Sequence, residues 1–294
     1  MNNIISYIKA LQAICKATFK DLKYNVRHYE MRSIENEEIN FAKLRMYCHM
    51  LDKGLNNPYF EKGHSKDVYI NAKGLYNKLL PAYVNDRSFK WCGEIIDCYE
   101  LAQKNGSPSL SYIQSPKYSD DDIRKYSTFI LSRVSVRNFM QKEISEETIR
   151  RIIELAVDAP NGCCRQSTRF HLTQDKAKIK TIIPCVAGIT NFTNIQCLIA
   201  VCAESSFYGL IDKNLQYVDA SLAAENLILA SRIFNLYGTM CNFFHASEHE
   251  VSVVKQTLGI NDSENVVLVI AMGYPTMIPR KPVRRDVELF YKLV

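Results

Sequence analysis

Glycine spacing constrains this chain more than any other feature. Its eleven glycines never come closer than nine residues, the separation of Gly54 and Gly63. No G-x-G-x-x-G turn and no G-x-x-x-x-G-K loop can exist, and these are the two backbone cradles that bring N–H groups to a nucleotide phosphate. A phosphorylated ligand would have to be gripped by side chains. Residues 132–139, Ser-Arg-Val-Ser-Val-Arg-Asn-Phe, offer them: Arg133, Ser135 and Arg137 alternate so that two guanidinium forks and a hydroxyl can close around one phosphate. An ordinary basic surface segment carries the same signature.

Two further segments follow in order. Residues 159–166 read Ala-Pro-Asn-Gly-Cys-Cys-Arg-Gln, and 279–285 read Pro-Arg-Lys-Pro-Val-Arg-Arg. Together the three resemble the nitroreductase family of flavin mononucleotide (FMN) enzymes, whose members carry an R-x-S-x-R type segment, a helix ending in A-P-S-x-x-N-x-Q, and a late K-x-R. The likeness covers residues 121–294. It implies an α+β fold with a mixed sheet flanked by helices, and leaves residues 1–120 as a helical N-terminal extension.

The resemblance also implies roles. Arg133, Ser135 and Arg137 would hold the FMN phosphate, joined by Lys281 and Arg284, although Pro282 stands two before Arg284 where the family lysine falls. Pro160, Asn161, Gly162, Cys164 and Gln166 would meet the pyrimidine side of the flavin. Cys164 occupies the family's asparagine position, and a thiol is a weak hydrogen-bond partner. Either Asn161 substitutes for it or flavin affinity is lower. Thr168 stands where an aromatic beside Gln166 is usual. Residues 236–240, Leu-Tyr-Gly-Thr-Met, resemble the family's L-G-x-G-T stretch, which brings Gly238 and Thr239 to the flavin N5; a glycine closing a helix looks the same.

Composition fits an ordinary soluble protein, with 47% apolar and 23% charged residues. Net charge is +6, from 17 Lys/Arg against 13 Asp/Glu in residues 1–120 and 20 against 18 in the remainder. So mild a bias, spread over the chain, is poor evidence for nucleic-acid or membrane binding. Ten cysteines, among them Cys15, Cys48, Cys98, Cys197 and Cys202, lie mostly in apolar periodic stretches and are expected to be buried free thiols, which with the lack of a signal peptide or membrane span suggests a reducing cytoplasm.

Residues 1–19 pattern as an amphipathic helix through Ile4, Ile8, Leu11 and Cys15, with Lys9, Lys16 and Lys20 interleaved. Helical spacing recurs at Phe41, Leu44, Cys48, Leu51 and Leu55, and at Trp91, Ile95, Cys98 and Ala102. Residues 105–108 break the chain, and a polar connector runs to Asp122. Ser145 caps a helix that Pro160 and Gly162 end. Strands are expected at 169–172, 197–203 and 266–272, and a long helix at 218–234. Residues 49–55, His-Met-Leu-Asp-Lys-Gly-Leu, resemble an H-x-L-E-K-G-L segment found ahead of nitroreductase domains in a subgroup linked to surface-polysaccharide biosynthesis; a capped helix end reads the same way.

Competing chemistries fare worse. Cys241, His245 and His249 recur every four residues, but no fourth ligand is evident, so no metal site is expected. Cys163 and Cys164 lack C-x-x-C spacing, and no G-x-S-x-G exists. The reading is thus an NAD(P)H-dependent flavin oxidoreductase acting on a nitroaromatic or quinone acceptor, with the flavin rather than a protein residue doing the chemistry. It would be a homodimer with flavin at the interface. A flavin-binding relic acting as an assembly module, and a cofactor-free polyanion binder, remain the alternatives.

Overall fold

The computed structural model describes residues 2–33, 36–108 and 114–294. Part of the predicted polar connector, 109–113, and Met1 lie outside the described residues, as do the side chains of Ile4, Lys9, Lys16 and Lys20. The helices are α1 (Asn2–Ser33), α2 (Glu37–Leu55), α3 (Lys66–Tyr83), α4 (Arg87–Asn105), α5 (Asp120–Leu131), α6 (Glu146–Ala156), α7 (Lys176–Ile182), α8 (Leu215–Ile233) and α9 (Glu248–Leu258). The strands are β1 (Thr168–Thr173), β2 (Cys197–Glu204), β3 (Tyr237–Asn242) and β4 (Glu264–Gly273). Among the described residues no helix is long and apolar enough to cross a membrane.

The fold is α+β. Its sheet runs β1-β2-β4-β3, and all three pairings are antiparallel rather than mixed. The reason is an insertion: β2 and β3 run the same way and are joined through α8, but β4 enters between them and opposes both. β2 reads Cys-Leu-Ile-Ala-Val-Cys-Ala before its final Glu204 and is buried throughout that run, as a central strand covered on both faces must be. Its alternate residues divide between two cores. Leu198, Ala200 and Cys202 pack with α7 and α9 through Ile179, Ile182 and Val254. Cys197, Ile199 and Val201 pack with α6 and α8 through Ile149, Ile152, Ala224 and Leu227.

Residues 37–105 build a separate apolar cluster from α2, α3 and α4, centred on Leu44, Leu51, Phe89 and Ile96. Asp86 caps α4 by accepting from the N–H groups of Ser88 and Phe89, and Gly106, at φ 81°, closes it. Leu51 and Leu55 of the H-x-L-E-K-G-L-like stretch are buried in this cluster, so that segment is accounted for as a helix end.

Several expectations are corrected. α6 stops at Ala156, before Pro160, because Val157 already caps it. A helix, α5, begins inside the predicted connector, started by a Ser119–Asp122 capping box. Of strand β3 the sequence suggests only an end, at residues 242–244, since Tyr-Gly-Thr-Met-Cys-Asn carries little β-branched character and lies at a sheet edge; the strand runs Tyr237–Asn242. All ten cysteines are free, but Cys15 and Cys163 are exposed.

Candidate functional site

Val134, Val136 and Phe139 enter the sheet's α7/α9-side core. The twofold alternation of an extended segment therefore turns Arg133, Ser135 and Arg137 the other way. Arg133 and Ser135 are half-buried and Arg137 is exposed. Arg137 approaches the ring of Phe192 at 5.9 Å, and none of the three side chains makes a hydrogen bond or ion pair with another described residue. Among the described residues their hydrogen-bond donors are unspent.

The segment is held by its backbone instead. Arg232, in the last turn of α8, donates to the carbonyl of Phe129 and, at 2.6 Å, to Ser132 Oγ. Thr239 Oγ1 of β3 donates to the Val136 carbonyl at 2.7 Å, and Thr193 N–H to the Arg137 carbonyl at 3.1 Å. Lys281 Nζ donates to the carbonyl of Leu131, which brings the C-terminal basic run to the start of the octet across Pro282. Arg284 is exposed and unpaired with any described residue. Cys241 of β3 feels Arg137: burial pushes its thiol up to about 11, and the guanidinium pulls the other way.

Gly238 is buried in β3, and its missing side chain serves packing. A Cβ there would lie 2.9 Å from Ile228 Cδ1 and 3.2 Å from the Ala271 carbonyl, so a side chain here would crowd α8 against the sheet. His245 and His249 share no helix with Cys241, which lies in β3 while His249 is in α9.

Residues 160–166 form a tight turn before β1. Cys163, Cys164 and Gln166 take left-handed backbone conformations at φ 54°, 55° and 53°, a strained arrangement for side-chain-bearing residues that surrounding bonds must enforce. Asn161 Oδ1 accepts from the Gln166 N–H at 3.0 Å, and Gln166 Nε2 donates to Cys164 Sγ at 3.7 Å. Gly162 N–H donates to both carboxylate oxygens of Asp219 at 2.9 Å. Asp219 is buried in α8 and also accepts from Tyr208 Oη at 2.6 Å; burial and that carboxylate push the tyrosine's pKa up.

The N-terminal region completes the enforcement. Arg45 of α2 is buried and donates to the Arg165 carbonyl at 2.8 Å, while its guanidinium lies 4.2 Å from the centre of the Phe41 ring. Burial lowers its pKa, and its Nε has no hydrogen-bond partner. Ile39 and Ala42 of the same helix pack on Phe207 and Tyr208. Cys164 is partly buried beside α2, and its thiol is pushed up by that burial.

The predicted residues thus fall into two groups. Arg133, Ser135, Arg137, Thr239 and Lys281 gather at the C-terminal end of α8, and Pro160, Asn161, Gly162, Cys164 and Gln166 at its N-terminal part. Their anchors, Asp219 and Arg232, are about 20 Å apart along the helix at roughly 1.5 Å per residue. Sequence reasoning missed both anchors. An acid inside the apolar run of α8 was the available signal for Asp219.

Comparison with known proteins bears on this geometry. A family model described as "Nitroreductase family" matches residues 130–192 and 190–274. A protein of Archaeoglobus fulgidus named "Putative NADH dehydrogenase/NAD(P)H nitroreductase" is 27% identical over 146 residues, covering 50% of this chain and 83% of its own. A solved structure of a Bacteroides thetaiotaomicron protein with that same name superposes with a TM-score of 0.51 at 23% identity, over 57% of this chain and 96% of that one. A nitroreductase-like protein from Streptococcus mutans gives a TM-score of 0.52 at 18% identity, over 58% of this chain and 99% of that one. Across residues 130–274, then, the chain belongs to the nitroreductase family.

Proposed function

We propose that the protein is an FMN-dependent oxidoreductase that takes electrons from NADH or NADPH and delivers them to an electron-poor small molecule of the nitroaromatic or quinone type. One observation carries the reading. Three phosphate-type donors, Arg133, Ser135 and Arg137, face away from the core with no hydrogen-bond or ion-pair partner among the described residues, on a segment whose carbonyls are tied to α8 by Arg232 and to β3 by Thr239. Arg165 on Asp212 and Arg232 on Phe129, by contrast, are spent internally. Donors held rigid and unspent are what a dianionic phosphate needs.

FMN, when bound, supplies hydride acceptance and onward electron transfer. The chain's residues bind and orient it. Arg133 and Arg137 would grip the phosphate with Ser135 between them, and Lys281 and Arg284 would add charge from the C-terminal run. Pro160, Asn161, Gly162, Cys164 and Gln166 would meet the ring. Gly238 and Thr239 would stand behind N5 as a rigid edge strand. Because the two groups lie at opposite parts of α8, we assign one from each chain of a homodimer to a single site. Residues 1–120 form a helical unit backing the second group, and 121–294 the flavin domain.

The test is a spectrum of the purified protein. Flavin absorbance that bleaches on adding NADH or NADPH and returns with a quinone is the expected result. Flavin colour without bleaching indicates a binding module without turnover, and a colourless protein that takes up no FMN overturns the reading.

A further inference from the structure

A third cluster lies away from both groups. His171 of β1, Cys202 of β2 and Glu264 at the start of β4 bring one imidazole nitrogen, one thiol sulfur and one carboxylate oxygen within 4.8 Å of one another. The three belong to three adjacent hydrogen-bonded strands, so their backbones are fixed relative to each other. Cys202 is wholly buried and Glu264 nearly so, whereas the His171 side chain keeps 22% of its surface. His171 Nε2 shares a hydrogen bond with Glu264 Oε2. The other carboxylate oxygen, Oε1, accepts from Asn261 Nδ2 at 3.0 Å.

Nitrogen, sulfur and oxygen donors in a group of three are the ligand types of zinc, whose bonds of about 2.0–2.3 Å place ligand atoms roughly 3.3–3.8 Å apart in a tetrahedron. Atoms already inside 4.8 Å need shifts of only about 1 Å to reach that spacing. Asn261 holds Glu264 by Oε1 and leaves Oε2 directed at His171, as outer partners of metal-bound carboxylates do. Lys255, whose charge reaches Cys202, is held off by the carbonyls of Asn261 and Asp262 at 3.1 Å.

We propose that His171, Cys202 and Glu264 form a zinc-type transition-metal site that clamps β1, β2 and β4, with a fourth position reached by solvent past His171. The metal takes the place of the proton between His171 and Glu264, and Cys202 releases its own on binding. The clamp ties down β1, the strand entered directly from the strained turn at 160–166, and owes nothing to flavin.

Cobalt tests it in the full chain. Chelator-treated protein titrated with Co²⁺ should take up one equivalent and develop a thiolate-to-cobalt charge-transfer band with the visible bands of a tetrahedral ion, which Zn²⁺ displaces. Cys202→Ser should abolish the charge-transfer band and weaken Zn²⁺ binding on the order of 100-fold. Asn261→Ala should weaken it by roughly 10- to 100-fold. Because a buried substitution can unfold a sheet, His171→Gln on the half-exposed edge strand is measured beside it, with far-ultraviolet circular dichroism unchanged and stoichiometric binding lost. Wild-type protein that shows no charge-transfer band at saturating Co²⁺, a band that persists in folded Cys202→Ser, or undiminished Zn²⁺ binding by folded His171→Gln would each overturn the site.

Discussion

Arg133 and Arg137 make no hydrogen bond or ion pair with another described residue. Replacing both with alanine should therefore leave the melting temperature nearly unchanged while weakening FMN binding at least tenfold, since each charge-assisted bond is worth about 1.5–3 kcal/mol and tenfold is about 1.4 kcal/mol. Fluorescence titration of FMN reads the affinity, and equal affinity in the double variant would move the phosphate elsewhere. Asp219 behaves oppositely. Alanine there strips both acceptors from the Gly162 N–H and one from Tyr208, so urea denaturation should show a loss of about 1–3 kcal/mol. The octet's alternation was legible in the sequence because it is local, two apolar residues turning to the core between the polar ones. Asp219 and Arg45 were not, because their partners, Gly162 and Arg165, lie 57 and 120 residues away, and no periodicity reports a contact of that range.

Elements follow the same division between local and distant information. α2, α4, α6 and α8 were readable from apolar spacing and from caps such as Ser145, because each lays a stripe on a core. α5 buries no side chain, so no core stripe pointed to it, and β3 is defined by its pairing with β4 rather than by its own residues. In the N-terminal region, α3 and α4 are joined through Glu100, which binds Lys73 at 2.9 Å and Tyr69 Oη at 2.7 Å. The Lys73 hydrogen bond, then that of Tyr69, holds the Glu100 carboxyl below its usual value. A depressed carboxyl stabilises the fold above its unfolded pKa of 4.5 and loses that contribution as pH falls through the lower folded value. Thermal melts should thus fall more steeply below pH 4.5 in the wild type than in Glu100→Gln, which has no such proton to take up.

At the scale of the molecule, the N-terminal helices and the family domain are mechanically joined at the turn that would meet the flavin ring. Removing residues 1–105 strips Ile39 and Ala42 from Phe207 and Tyr208 and Arg45 from Arg165. The truncated protein should be less stable and accept bulkier quinones, measured by melting and by steady-state rates across an acceptor series; unchanged stability and acceptor range would refute the coupling. The two groups on α8 make a sharper prediction for the assembly. Co-expressing an Arg133→Ala/Arg137→Ala chain with an Asn161→Ala/Gln166→Ala chain should restore about a quarter of the flavin sites, since random pairing gives heterodimers half the time and each holds one intact site. Sites complete within one chain would give no such rescue. Helix α8 acts in this arrangement as a gauge bar between two workpieces. One residue inserted between Asp219 and Arg232 would rotate its ends against each other by about 100°, so this stretch should accept exchanges at exposed positions such as Ser221 and Glu225 but no change in length.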